Sequence, residues 1–288
     1  MKTYNVCWSG GIDSTFIVTQ LSQLPVTIQP FYVKGQTFRL SEPQELAAIS
    51  SIRELLLADS RTKAEILSPI IIEKDDVKLK DRELVQAHRR IYMRLLEEYK
   101  LKNGGKLPPA GSQQIYVDHA YISPQYLAFA SLAKFLNTTL ELGLLCEDFE
   151  LYAILSNTSS KIVELDDVTG RKILYFGANT TDKDLYMIFK NFRFTIPGQN
   201  MYKTDVWKWY ETNNYLEVRA KTNFCQAPLP MQGGGYEPCG ICNACIGVIR
   251  EGVLEPFTEA GLARYRDYEE NHEKFPEKFR LKGFLNDA

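Results

Sequence analysis

The first segment whose residue types suggest chemistry lies near the amino terminus and combines two glycines, two hydroxyls and one carboxylate. It reads Ser9-Gly10-Gly11-Ile12-Asp13-Ser14, between a strand pattern over residues 2–8 and a helix pattern over residues 14–24. The first amides of a helix lack intrahelical acceptors and carry the positive end of the helix dipole, and adjacent glycines let the backbone approach a ligand closely. The pattern therefore predicts a polyphosphate site at this junction. The alternative is a glycine-rich tight turn with no ligand.

Asp13 is unexpected in a loop that binds only anions, because its carboxylate would repel phosphate. A Mg²⁺ ion bridging the carboxylate and a pyrophosphate would explain the residue. Capping of the following helix would explain it equally well, so both roles remain open. The segment lacks the Gly-Lys-Ser/Thr of a Walker loop, and it does not match the GxGxxG pattern of dinucleotide-binding folds.

The second segment with chemical potential is a cluster of four of the six cysteines, which are Cys225, Cys239, Cys242 and Cys245. Four thiolates at such spacing are typical of a tetrahedral zinc site, and a site with four protein ligands leaves no position for a catalytic water. We therefore predict structural Zn²⁺, with an iron–sulfur cluster or metal-free core thiols as alternatives. The other two cysteines, Cys7 and Cys146, lie in apolar segments and are predicted to pack in the core.

The order of elements between these two segments predicts an α/β fold. The predicted strands cover 2–8, 26–33, 66–73, 114–122 and 138–145, and the predicted helices cover 14–24, 45–58, 83–100, 124–136 and 200–212. Such alternation is typical of a doubly wound parallel sheet, here with five strands, and the run 66–73 is apolar enough to be buried on both faces. A hairpin is predicted around Asp166–Gly170. We expect an α/β domain over 1–200, with a helical insertion near 83–112, and a cysteine-bearing helical lobe over 201–288.

Composition excludes several classes of function. Of the 288 residues 44% are hydrophobic and 24% are charged, and the net charge is −2, so no bulk binding of nucleic acid is expected. No apolar run is long enough for a signal peptide or a membrane span. A cytoplasmic protein is therefore expected.

The six-residue loop resembles the signature of the PP-loop ATP pyrophosphatases, which cleave ATP between the α and β phosphates. Together with the Cys-Gly-x-Cys-x-x-Cys run, the chain is most similar to the 7-cyano-7-deazaguanine synthases of that superfamily. Similarity extends to Phe31–Gln36, Glu45–Ile49, the Lys203-Thr-Asp segment and the approach to Cys225 at Thr222. It covers about half of the chain. The family's Pro-Gly-Arg-Asn segment and its Tyr-Pro-Asp segment have no match.

The resemblance implies the adenine nucleotide alpha hydrolase-like fold and an ATP-dependent ligase of queuosine biosynthesis. Residues Ser9 to Ser14 (Ser9, Gly10, Gly11, Ile12, Asp13 and Ser14) would bind ATP. A 7-carboxy-7-deazaguanine-like acid would attack the α-phosphate, and ammonia would convert the acyl-adenylate to an amide and then a nitrile. Asp13, Ser14 and Lys203 would have catalytic roles, although Lys203 could equally be a surface lysine. His119 lies at the carboxyl end of a predicted strand, where α/β sheets form their sites, so it is a candidate substrate-binding residue or a hydrogen-bonded structural one.

Three other functions remain open at this point. A tRNA-thiolating enzyme would need a basic face and a reactive cysteine outside the metal site, and a related ligase could give the activated acid to a different amine. A nucleotide-binding module without turnover is the third. The resemblance also implies a homodimer.

Overall fold

The computed structural model describes residues 1–34, 40–73, 81–102, 104–106, 124–143, 161–196 and 202–271. The chain forms two compact units. The first, called the sheet unit, comprises Met1–Cys7, Ile17–Gly35 and Lys63–Met201. The second, called the cysteine unit, comprises Trp8–Phe16, Gln36–Thr62 and Tyr202–Ala288. The predicted strand 114–122, His119 and Cys146 lie outside the described residues.

The described part of the sheet unit contains one mostly parallel sheet. Its strands are β1 (Thr3–Cys7), β2 (Thr27–Lys34), β3 (Glu65–Ile66), β4 (Ile70–Glu73), β5 (Leu140–Gly143), β6 (Lys161–Leu165), β7 (Lys172–Phe176) and β8 (Phe192–Ile196). They are ordered β3-β2-β1-β5-β8-β7-β6, and β4 also pairs with β2. The pairings from β3 and β4 to β8 are parallel, with Thr3 opposite Thr27 and Leu140 opposite Phe192. The hairpin β6–β7 is antiparallel and joins β8 through β7.

The α/β class and the parallel pairing are confirmed, but the sheet differs from the five-strand prediction. If β3 and β4 count as one position, five neighbouring positions are parallel, and the hairpin extends the sheet by two antiparallel strands. The sequence analysis predicted this hairpin without placing it in the sheet, and it missed β8. β8 is the five-residue run Phe-Arg-Phe-Thr-Ile, in which apolar and polar residues alternate as in a half-buried strand, so a local signal was present and was overlooked.

The prediction of a strand buried on both faces over 66–73 was wrong. The segment forms two short strands separated at Ser68-Pro69, and proline has no N–H to donate to a ladder. Ile70 and Ile71 are 43% and 51% exposed. Among the described strands this segment lies at one end of the sheet, so its apolar run reflects high β propensity and not burial on both faces.

The helices confirm most of the helical predictions. They are α1 (Ile12–Ser22), α2 (Glu42–Ala58), α3 (Arg82–Lys102), α4 (Pro124–Leu136), α5 (Lys183–Phe189), α6 (Lys203–Thr212), α7 (Leu216–Lys221), α8 (Asn243–Arg250) and α9 (Glu259–Asn271). The short strands β9 (Leu229–Pro230) and β10 (Tyr236–Glu237) pair antiparallel. Within the described segments, no helix combines the length and apolar character required to cross a membrane.

Each unit has its own apolar core. The core of the sheet unit includes Cys7, as predicted, together with Phe189, Phe192 and Phe194, whose rings contact one another. Burial raises the pKa of the Cys7 thiol, so Cys7 behaves as a small apolar residue. The core of the cysteine unit is built around the four clustered cysteines.

Candidate functional site

The loop Ser9–Ser14 has the strand-to-helix position that the sequence predicted, since β1 ends at Cys7 and α1 begins at Ile12. Its two serines form one polar group, with the Oγ atoms 3.2 Å apart. The backbone N–H of Ser9 donates to Ser14 Oγ at 3.2 Å, and the N–H of Gly11 donates to Ser9 Oγ at 3.4 Å. Both hydroxyls therefore lie beside the first turn of α1, where helix amides lack intrahelical acceptors.

Gly10 requires glycine for two physical reasons. Its φ is +70°, a conformation that residues with a Cβ adopt at a cost of about 1–2 kcal/mol. In addition, a Cβ built on Gly10 would lie 2.9 Å from Ala48 Cβ and 2.9 Å from Glu45 O. The loop therefore packs its backbone directly against the first turns of α2, and the two-glycine signal in the sequence has a steric cause.

The segment after α7 contacts the other side of the loop. The backbone N–H of Asn223 donates to Gly10 O at 2.9 Å. A Cβ on Gly11 would lie 3.4 Å from Asn223 O. This pairing joins residues more than two hundred positions apart, so the sequence pattern could not have indicated it.

Helix α6 supports the first turn of α1. Tyr210 is fully buried, and its hydroxyl donates to Ile12 O at 3.5 Å. Trp209 contacts Phe16 edge to face at 4.9 Å and stacks on Tyr215 at 5.7 Å. These ring contacts pack the side chain of Trp209 against the first turns of α1.

Lys203 and Asp13 belong to the same unit as the loop. Asp13 lies in the first turn of α1 and is half-buried. Lys203 is the first residue of α6, and the buried Val206 and Tyr210 follow it at spacings of three and seven. This spacing places Lys203 on the same face of α6 as Tyr210, about 10 Å along the helix axis from it.

The four cysteines converge as the sequence predicted. All four are buried, and their Sγ atoms lie within 4.8 Å of one another. The sulfurs of Cys239 and Cys245 are 3.9 Å apart. Tetrahedral Zn–S bonds of about 2.3 Å would place sulfurs about 3.8 Å apart, close to the Cys239–Cys245 separation, so the donor set fits a single metal ion.

Backbone amides orient the thiols. The N–H of Cys239 donates to Cys225 Sγ at 3.2 Å, that of Cys242 to Cys239 Sγ at 3.3 Å, and that of Cys245 to Cys242 Sγ at 3.4 Å. Cys242 is also the N-cap of α8, where the helix dipole favours a thiolate. Hydrogen bonding from the Cys225 thiol lowers the pKa of both Cys239 and Cys242, which favours their thiolate forms.

Helix α9 holds the turn that carries Cys239. Arg264 Nε donates to Cys239 O at 2.8 Å, and its Nη2 pairs with Glu237 at 2.7 Å. A Cβ on Gly240 would lie 2.2 Å from Gly261 O, so the two backbones touch at this point. Arg264 carries no local sequence signal and was not predicted as part of this centre.

Each unit also contains an open cavity. One of about 520 Å³ in the cysteine unit is bordered by α2, the segment after α7 and the β10 region, and it includes Ala48, Asn223 and Phe224. One of about 480 Å³ in the sheet unit lies at the amino ends of β1, β5 and β8 and includes Lys2 and Arg193. Both of these cations are ion-paired, Lys2 with Asp166 and Arg193 with Glu141, so the second cavity offers little net charge to a ligand.

Comparison with known proteins gives no independent assignment of these features. A scan against protein-family models found no match, and no curated protein matches the chain.

Proposed function

We propose that this protein is an ATP-dependent enzyme of the PP-loop type that adenylates a carboxylate. The observation that carries the proposal is the loop Ser9–Ser14. Its position between a strand and a helix, its paired hydroxyls and its glycine at positive φ provide hydrogen-bond donors of the kind that bind anions. We also propose that the sheet is doubly wound and of the adenine nucleotide alpha hydrolase-like type.

In this proposal the chain's own residues bind and align charged groups. Amides of the loop and the hydroxyls of Ser9 and Ser14 bind the pyrophosphate part of ATP. The Asp13 carboxylate holds Mg²⁺, which supplies charge neutralisation when bound. Lys203, on the face of α6 that contacts α1, provides a cation for the α-phosphate as the acid's oxygen attacks and pyrophosphate leaves.

The four cysteines hold a structural Zn²⁺ ion in this proposal. The sulfur separations favour one ion, because thiolates that bind different irons of a four-iron cluster lie further apart than 4.8 Å. With four protein ligands and an apolar shell, the ion would hold the cysteine unit together and would not activate water.

The proposed substrates are a 7-carboxy-7-deazaguanine-like acid, ATP and ammonia, and the proposed product is the nitrile. This choice rests on the joint presence of the loop and the Cys-Gly-x-Cys-x-x-Cys run. Transfer of the activated acid to another amine would use the same adenylation site. A cytoplasmic location and a homodimer belong to the same proposal.

The test is to incubate the zinc-replete protein with ATP, Mg²⁺, ammonium and 7-carboxy-7-deazaguanine, and to measure AMP, pyrophosphate and product mass. The expected result is AMP together with a product whose mass is that of the amide or the nitrile of the acid. If AMP forms without a new deazaguanine, the proposal of an adenylating enzyme stands, but this acid or this amine is not its substrate. ATP binding with AMP no higher than for Asp13→Ala would reject the enzyme in favour of a binding module.

A matched pair of lysines on α6 sharpens the assignment of the cation. Lys203→Ala is expected to lower the rate of AMP formation by at least tenfold, whereas Lys208→Ala, at an exposed position on the same helix, should leave it unchanged. Equal rates for the two variants would remove Lys203 from the site.

A further inference from the structure

The cysteine centre and the nucleotide loop are joined by a very short piece of chain. Helix α7 ends at Lys221, and Thr222 to Cys225 run from that end to the first clustered cysteine. The Thr222 hydroxyl donates to Arg219 O at 2.8 Å, which anchors one end of the segment. Cys225, 2% exposed and in contact with the other thiols, anchors the other end.

The hydrogen bond between Asn223 and Gly10 determines which way a loop amide points. A trans peptide unit is planar, with its C=O and N–H directed to opposite sides. Because Gly10 O faces the N–H of Asn223, the N–H of Gly11 must face away from it, and this N–H indeed donates to Ser9 Oγ. The bond from Asn223 therefore aims the Gly11 amide toward the hydroxyls of Ser9 and Ser14.

We propose that Asn223 is a positioning residue that couples the metal-bound state of the cysteine centre to the aim of the nucleotide loop. Cys225 lies fourteen or more positions along the chain from the other three cysteines, and its sulfur accepts a hydrogen bond from the backbone N–H of Cys239. A metal ion bound to all four sulfurs would fix the position of Cys225. Because only three residues separate Cys225 from the end of α7, the segment from Thr222 to Cys225 would then be fixed as well. The N–H of Asn223, which donates to Gly10 O, lies in this segment. The inference rests on the proposed function for its consequence in ATP binding, but the structural coupling itself does not.

The donor is a backbone group, so it can be deleted with one substitution. Asn223→Pro removes the N–H, whereas Asn223→Ala keeps it and removes the side chain. Thr222 has φ −67° and ψ 139°, the extended conformation that a residue before proline prefers, so proline is compatible with the preceding backbone. The alanine variant controls for the contact of Asn223 Nδ2 with Cys225 O at 3.4 Å.

The experiment compares both variants with the wild type in the full-length, zinc-loaded protein. Zinc stoichiometry and thermal unfolding first establish that each variant is folded and loaded. Hydrogen exchange of peptides covering residues 8–16 and 222–225, and affinity for ATP with Mg²⁺, are then measured. The Pro variant should exchange faster over 8–16 and bind ATP about threefold to tenfold more weakly, whereas the Ala variant should resemble the wild type.

Chelation of wild-type protein is the second arm and uses no variant. Removing the metal should speed exchange at Asn223 and over 8–16 more than over α6 (Lys203–Thr212), which belongs to the same unit, and added Zn²⁺ should restore protection. Unchanged loop exchange in both the Pro variant and the chelated protein would overturn the coupling. If the wild type fails to bind ATP, the proposed function fails, while the exchange results still decide the coupling.

Discussion

The sheet unit and the cysteine unit both bring distant parts of the chain to a buried polar group, but they stabilise that group by different means. In the sheet unit, Asp166 has a fully buried side chain that accepts from Lys2 Nζ and from Tyr4 OH, both at 2.6 Å, and from Arg193 at 3.1 Å. In the cysteine unit, four buried thiols face one another with few internal donors. The first cluster is complete as folded, whereas the second has the geometry of a site that a metal completes.

This difference has a consequence for stability. Hydrogen bonds and opposite charges from within the chain satisfy the buried carboxylate of Asp166, so this cluster needs no added ligand. Deprotonated thiolates in contact repel one another, so we expect an ion that binds the folded state to stabilise the cysteine unit. The candidate nucleotide loop belongs to the cysteine unit.

The largest expected effect is on the cysteine unit. Cys242→Ser should abolish stoichiometric metal binding and destabilise the cysteine unit, because structural zinc sites contribute about 10–16 kcal/mol of binding energy. Metal analysis and hydrogen exchange over residues 225–271 would measure it. Cys7→Ala, a buried cysteine outside the cluster, should keep the metal. Retained metal and protection in Cys242→Ser would contradict the idea that an ion completes the site.

Asp166→Asn tests the self-contained cluster. It removes the buried carboxylate that Lys2 and Arg193 share, while Lys2 keeps Asp167 and Arg193 keeps Glu141. The expected loss is about 3 kcal/mol, moderated by the 36% exposure of Lys2. Denaturant unfolding followed in the sheet unit would measure this loss. Asp167→Asn, whose side chain is 83% exposed, should cost under about 1 kcal/mol.

The same pair of proteins predicts a pH dependence. Burial alone would raise the pKa of Asp166, but hydrogen bonds from Lys2 and Tyr4 outweigh it and hold the pKa below its usual range. A carboxyl with a lowered folded-state pKa stabilises the protein above its unfolded pKa of about 3.9 and loses that contribution as the pH falls through the folded value. The stability gap between wild type and Asp166→Asn should thus be constant near neutrality and shrink below about pH 4. A gap that widens in acid would contradict this.

Gly10→Ala strains the loop where it packs on α2. Positive φ and the contacts at 2.9 Å predict a loss of about 2–3 kcal/mol and weaker ATP binding. Gly11→Ala is the control, because its nearest contacts are 3.2 Å and 3.4 Å and its φ is not positive. Equal unfolding free energies for the two variants would show that the contact of Gly10 with Ala48 and Glu45 does not limit the loop.

The smallest expected effect concerns Arg264, which holds the Cys239 turn from outside the group of four thiols. Arg264→Ala removes the hydrogen bond to Cys239 O and the ion pair with Glu237, and metal affinity should fall about tenfold. Competition with a chromophoric chelator would measure it. Arg266→Ala, which removes an exposed ion pair on the same helix, should leave the affinity unchanged.

Local sequence patterns predicted the elements whose cause is local. The strand before Ser9, the helices over 45–58, 83–100 and 124–136, and the hairpin at Asp166–Gly170 follow from periodicity and turn residues, and the structure contains each of them with small shifts at the ends. The convergence of the four cysteines was predicted for a similar reason, because three of them occupy seven consecutive positions. The edge strand at Ile70, by contrast, was judged from hydrophobicity alone, which does not distinguish a buried strand from an exposed one.

The sequence by itself determined the loop, the thiols and the alternation that makes the sheet parallel. Only the tertiary structure decided that Gly10 packs between α2 and Asn223, that Tyr210 supports Ile12, and that Arg264 holds the Cys239 turn. The physical reason is that periodicity and spacing act over a few residues. These contacts join residues up to about two hundred positions apart, and these residues come within hydrogen-bonding distance only when the cysteine unit has folded.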